Sequence, residues 1–218
     1  PYGAWSANPS TPPIFVEGGV IVRQFKSRLD GQTGHVTHGA DTFAFRASSV
    51  QHATLDRALD TAVLSTIRVG ASLPHGVFAA VEADFGGLSS SGATRTEMDA
   101  AATAGPGVPD LKSSGGIIID SLATVGIRGT SSFGSLGVEL AGGLRTIQYS
   151  FDSHYLSCDT VTTILALAPV AEARVRGELW LGPWMSAGVE VGTSVLEQHA
   201  WMGGVYLGVH TRAFSGGL

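Results

Sequence analysis

The 218-residue chain carries 13 Lys and Arg against 18 Asp and Glu, a net charge of −5, which argues against a nucleic-acid surface. Charged residues make up only 14% and no apolar run reaches the 18 residues of a membrane-spanning helix, so that class is excluded. The single Cys158 excludes an intramolecular disulfide and a cysteine-rich metal centre.

Apolar residues recur at every second position, the period of a β-strand whose two faces see different surroundings. The first strand, about Ile14–Phe25, sets Ile14, Val16, Val20 and Val22 against Glu17 and Arg23. The second, about Thr61–Leu73, sets Val63, Ile67, Val69 and Ala71 against Arg68. Pro74-His75-Gly76 signals a tight turn into the third, Val77–Gly86, with Glu82 and Asp84 on its polar face. The fourth, Ile117–Gly129, places Asp120 and Arg128 opposite Ile117, Ile119, Val125 and Ile127. The fifth, Gly134–Tyr149, opposes Glu139 and Arg145 to Leu136, Val138, Leu140 and Leu144.

The sixth strand starts near Thr163 and contains the clearest alternation in the chain. In Ala171–Leu181, Glu172, Arg174, Arg176 and Glu178 share one parity, while Ala171, Ala173, Val175, Leu179 and Leu181 take the other. The seventh, Trp184–Val195, carries Glu190, and the eighth, Trp201–Phe214, carries Tyr206, His210 and Arg212 opposite Val205, Leu207 and Val209. Links after strands two, four and six are short. Those after one, three, five and seven are longer, at about 27–60, 88–115, 150–162 and 196–200. Residues 1–13 read as an extended, Pro-rich periplasmic tail, 14–214 as the sheet and 215–218 as a C-terminal tail. A start at Pro1 rather than Met suits signal-peptide removal or trimming.

The face on which each side belongs follows from residue type. The charged face gathers Glu17, Arg23, Arg68, Glu82, Asp84, Asp120, Arg128, Glu139, Arg145, Glu172, Arg174, Arg176, Glu178, Glu190 and Arg212, with no Lys. Arginine without lysine suits desolvated, bidentate pairing better than a water-facing skin. The opposite face is plain Val, Ile, Leu and Ala, as hydrocarbon requires. Aromatics near strand ends, Phe25, Phe133, Tyr149, Trp180, Trp184 and Trp201, suit interfacial girdles. The expected fold is therefore an all-β, eight-stranded, antiparallel up-and-down transmembrane barrel, with short periplasmic turns, long extracellular loops and a charged lumen. A soluble, lipocalin-like ligand-binding barrel is the competing arrangement, with the apolar face inside.

Eight alternating segments over Ile14–Phe214, strands such as IRVGASLPHGVFAAVEADFG and the final GGVYLGVHTRAF resemble the small eight-stranded outer-membrane barrels of the OmpA, OmpX and OmpW type. That family's assembly signal usually has an apolar residue two before the last aromatic. Here Arg212 stands there and the chain continues to Leu218.

A barrel of eight strands is just wide enough for its own side chains, so a plugged lumen is expected. Gly70, Gly126, Gly137, Gly143, Gly188 and Gly208 remove bulk and leave a narrow small-solute channel as the alternative. His35, His38 and Asp41, with His154 and His199, have donor types suited to a transition metal, but their spacing reads as polar loop residues and no metal is assigned. His154 beside Ser153 or Ser157 matches no hydrolase motif, and His210 reads as part of the lumen network. Cys158 falls in a loop, with no role assigned. The expectation is a non-enzymatic protein of the bacterial outer membrane, without cofactor. It would contact outer-membrane lipid and lipopolysaccharide, and through loops or tail another envelope protein.

Overall fold

The computed structural model describes residues 14–25, 33–38, 41–46, 60–88, 111–131, 133–155, 158–182 and 184–211. Among the described residues ten strands form: β1 (Ile14–Phe25), β2 (Thr33–His38), β3 (Asp41–Arg46), β4 (Asp60–Ser72), β5 (Val77–Leu88), β6 (Leu111–Thr130), β7 (Gly134–Tyr155), β8 (Cys158–Trp180), β9 (Met185–Ser194) and β10 (Trp201–His210). Eight of them close a barrel in the order β1-β10-β9-β8-β7-β6-β5-β4, and β4 returns to β1. Every neighbouring pair is antiparallel. The chain is thus an up-and-down barrel in which sequence neighbours are spatial neighbours. An excursion from this plan is the β2–β3 hairpin in the first long link, a separate two-stranded sheet whose first strand lies near β8.

Short turns hold one end together. Leu73 N donates to Val77 O at 2.7 Å, and His75 and Gly76 both take positive φ, 63° and 78°, in the Pro74–Gly76 turn. Ser131 N donates to Gly134 O at 2.8 Å and Leu181 N to Met185 O at 3.0 Å. The two ends of the barrel sequence meet on this side, where Thr211 N donates to Ile14 O at 2.9 Å.

Alternation along each strand fixes which face turns in. In β5, Phe78, Ala80, Glu82 and Asp84 are buried while Ala79, Val81 and Phe85 are exposed. The register sets charge opposite charge around the ring: Glu17 pairs with Arg68, Arg68 with Glu82, Glu139 with Arg174, and Arg176 with Glu190. A slip of one residue would turn every charge outward.

β6, β7 and β8 run 20, 22 and 23 residues, longer than their apolar stretches. β7 and β8 continue to Tyr155 and from Cys158, through residues expected to loop at 150–162. The reason is that SFDSHYLSCDTVTT alternates no apolar face, so period-two reading loses the strand although the ladder persists. Cys158 and His154 accordingly sit on strands, paired with Tyr155 and Asp159.

Interior glycines make room for large neighbours. The Tyr206 ring lies over Gly188, so a Cβ there would meet ring carbon Cε2 at 2.6 Å, and a Cβ at Gly126 would meet Phe78 Cζ at 2.5 Å. At outward Gly177 a Cβ meets nothing closer than Leu136 Cδ1 at 4.0 Å. Gly188→Ala should therefore destabilise the barrel by roughly 1–3 kcal/mol, through overpacking, whereas Gly177→Ala should be neutral or slightly stabilising. Urea-unfolding midpoints in lipid vesicles check both.

Candidate functional site

The lumen is the chemically distinctive region. Residues of alternate parity on all eight barrel strands point into it, and the structure places Glu17, Arg23, Arg68, Glu82, Asp84, Asp120, Arg128, Glu139, Arg145, Glu172, Arg174, Arg176, Glu178 and Glu190 there, their side chains buried. Arg212 lies outside the described residues. Arg23 and Arg174 are among the largest fully buried side chains in the barrel.

The charges form a branched chain of ion pairs that ties opposite walls together. Arg145 grips Asp120 with two hydrogen bonds, Nε to Oδ1 at 2.8 Å and Nη2 to Oδ2 at 2.9 Å. Asp120 also pairs with Arg23, which reaches Asp84 at 2.7 Å and Glu172 at 3.0 Å. Arg174 takes Glu172 with Nε and Nη2, at 2.9 and 2.8 Å, and with Nη1 reaches both oxygens of Glu82 and one of Glu139. Arg68 holds Glu139 bidentately at 3.0 and 2.7 Å and donates to Thr124 Oγ1. Arg176 donates to Glu17 Oε2 at 2.6 Å and faces Glu190 at 3.5 Å. Nearer the short turns, Arg128 contacts Ser72 and Glu178, and Ser135 donates to Glu178. The planar guanidinium, with five donors, suits such sharing better than an ammonium.

Charge parity along the sequence leaves the apolar part of the lumen unread. Phe15, Phe78 and Ala80 cluster near the short turns, with Phe15 and Phe78 edge to face at 6.4 Å between centroids. Arg68 and Arg128 each lie over both rings. Ile21, Leu64, Ile118 and Ile147 occupy further lumen positions and are fully buried. Phe25, expected in an interfacial girdle, is instead inside and carries Arg145 at 4.9 Å from its ring centre. Its parity matches that of Glu17 and Arg23, the signal that identifies it. Trp180 likewise takes the inward parity, at the short-turn mouth, with its indole N–H donating to Ser131 O at 3.1 Å. Phe133, Trp184 and Trp201 are exposed as expected, and the side chain of Tyr149 is outside the described set.

Glu197, in the link from β9 to β10, is a lumen residue that the strand pattern does not reveal. Ser194 Oγ accepts from the Leu196 and Glu197 amides at 3.2 and 3.0 Å, curling the link inward. Glu197 is then buried and lies 3.9 Å from Arg145. His199 takes φ 64° in the same link.

Of the six glycines that leave a channel open as an alternative, four are filled by large neighbours, Phe15 at Gly70, Phe78 at Gly126, Arg128 at Gly137 and Tyr206 at Gly188, while Gly143 lies against the backbone of Ser121 and Leu122 and Gly208 against Ser186 Oγ. No cluster of three metal-ligating side chains occurs among the described residues. The side chains of His35, His38, Asp41, Ser153 and His154 lie outside the described set, as does Ser157. His210 does meet a hydroxyl, its Nε2 standing 3.1 Å from Ser186 Oγ, but both residues are fully enclosed, which suits a buried polar pair rather than a nucleophile meeting substrate.

The exterior is the reverse of the lumen. Val63, Ile67, Val81, Ile119, Val125, Leu140, Leu167, Val189, Val205 and Leu207 are between 45% and 65% exposed, and the outward strand positions are mostly Val, Ile, Leu, Ala and Gly, interrupted by small polar residues such as Ser65 and Ser121 and by Pro169. On β6 the run from Ile117 to Ile127 covers about 33 Å along the strand, or about 25 Å along the axis at the usual tilt, the height of a bilayer's apolar band. A lipocalin-like arrangement needs these two faces exchanged, so the structure excludes it. Among the described residues no helix is long and apolar enough to cross a membrane, which says nothing of strands.

No family model and no curated protein matches the chain. Among solved structures it is similar to Neisserial surface protein A, at 8% identity over 91% of this chain and 96% of that one, with a TM-score of 0.40. It is also similar to Ail, the attachment invasion locus protein of Yersinia pestis, at 10% identity over 89% and 97%, with a TM-score of 0.37. That structure contains the heparin analogue sucrose octasulfate. Likenesses this distant transfer no residue and no role.

Removing Arg174 takes a partner from Glu172, Glu82 and Glu139 at once and leaves Glu82 with only Arg68 at 3.7 Å, which places the cost in the range of a broken buried ion pair, about 3–5 kcal/mol. Arg174→Met should therefore lower the stability of the folded barrel by about that amount, whereas Thr124→Val should cost about 1 kcal/mol. Denaturant unfolding in vesicles, followed by the gel-mobility shift between folded and unfolded barrel, measures the difference.

Proposed function

We propose that this chain is a bacterial outer-membrane β-barrel with a plugged lumen, acting as an anchor or interaction protein rather than as an enzyme. The observation that carries the reading is the pairing of an apolar outer belt with an interior filled by ion pairs and aromatic rings. Such an interior gives rigidity and leaves transport and chemistry little room, so activity moves to the segments outside the bilayer. Long links follow β1 and β5, and β6, β7 and β8 extend beyond their apolar stretches. Loops on a rigid barrel are where binding commonly resides. The partners that fit are outer-membrane lipid and lipopolysaccharide around the belt, and another envelope protein at the loops or the N-terminal tail. Pattern along the strands supports the OmpA, OmpX and OmpW type as its subtype. The narrow-channel reading has no specific observation in its favour, because neighbouring side chains or backbone stand close against each of the six glycines.

The test is extraction from bacterial membranes with and without mild detergent, native mass determination, and conductance in planar bilayers. The expected result is detergent-dependent extraction, a stable complex with an envelope component, and no discrete conductance steps. Release without detergent contradicts the membrane reading, and reproducible single-channel steps contradict the plugged lumen. Placing a charge on the belt gives a second check. Val205→Arg, at an outward position 60% exposed, should cost about 2–4 kcal/mol of stability in vesicles if it lies near the bilayer midplane.

A further inference from the structure

A small void lies inside the barrel near the short turns, bounded by Phe15 and Phe78 on one side and by Arg176, Glu178, Tyr206 and Ser135 on the other. Its volume is about 10 Å³, the space of one water molecule. Two of its lining side chains are incompletely paired in complementary ways. Glu178 Oε1 accepts no hydrogen bond, although Oε2 of the same carboxylate accepts from Ser135 at 2.7 Å. Arg176 Nε donates none, its ion-pair contact with Glu190 Oε2 at 3.5 Å making no hydrogen bond. Both side chains are more than nine-tenths buried. A buried acceptor and a buried donor left open beside one water-sized space are costly unless something bridges them.

We infer that the lumen holds one structural water here, donating to Glu178 Oε1 and accepting from Arg176 Nε. The walls select against ions. A cation would sit beside the guanidinium groups of Arg128 and Arg176, and an anion beside the Glu178 carboxylate. A single neutral molecule with donor and acceptor capacity satisfies both open groups, and the void admits nothing larger. The water completes the link between the Arg128–Glu178 pair and the main ion-pair chain, joining the two through Arg176 and its partner Glu17. The inference concerns the lumen's own architecture and stands whichever partner the loops engage.

The experiment is a crystal structure of the detergent-solubilised full chain at a resolution that orders internal water, for the unaltered protein and for the variants Glu178→Gln and Glu178→Leu. The expected result in the unaltered protein is a single peak within hydrogen-bond distance of Glu178 Oε1 and Arg176 Nε. It should be retained in the Glu178→Gln variant, whose amide oxygen still accepts, and lost in the Glu178→Leu variant. An empty void, or Glu178 rotated onto a guanidinium so that the void closes, overturns the inference using the unaltered protein alone. A peak that persists in the Glu178→Leu variant overturns the assignment to Glu178.

Discussion

Burial of a carboxylate or a guanidinium is tolerable only with a partner and with its remaining hydrogen bonds met, and the rest of this barrel depends on that constraint. Arg174 is its centre. From β8 it reaches Glu172 on its own strand, Glu82 on β5 and Glu139 on β7. Those contacts exist only if the sheet closes with β5 across from β8, and if the register places every one of these residues inward. The network therefore selects one closure and one register among the many that alternation alone would permit. A hydrophobic lumen of the same volume would specify register less sharply, whatever its stability.

Closure and the outer belt follow from the same logic applied to the backbone. In hydrocarbon, every N–H and C=O must be paired within the protein, which a closed ladder of eight antiparallel strands achieves. The outward side chains then need only be largely apolar, and their predominance of Val, Ile, Leu and Ala contrasts with the fitted packing inside. Tyr206 illustrates the fit: its ring covers Gly188 and receives Arg176 at 4.0 Å from its centre. One small residue, one aromatic and one cation occupy space that three medium side chains would fill without specificity.

The number of barrel strands, their topology and the inside-out arrangement are legible in the sequence because each depends on period two and on charge, whereas the β2–β3 hairpin falls in a stretch read as a loop. The run Glu172, Arg174, Arg176, Glu178 can be read directly. Phe25 and Trp180 are misplaced by residue type because aromatics near strand ends suit both a girdle and a lumen plug. Parity, not residue type, separates the two. Glu197 escapes a reading of pattern because its inward turn comes from Ser194 capping two amides in a link, which no periodicity reports. The extension of β7 and β8 to Tyr155 and Cys158 is hidden for a related reason: without an apolar face, a strand leaves no alternating signature. The specific pairings, such as Arg23 with Asp84 and Asp120, require the three-dimensional register.

The most direct test of the account is collision accessibility of spin labels placed one at a time along residues 136–145, in a Cys158→Ala background, with the protein refolded in lipid vesicles. An apolar face turned to lipid requires period-two behaviour. Labels at 136, 138, 140 and 144 should be open to oxygen and shielded from a water-soluble nickel reagent, and labels at 141 and 143 should be shielded from both. High nickel accessibility at the even positions, or oxygen accessibility without alternation, would contradict a barrel that turns its apolar face to lipid and its charges inward.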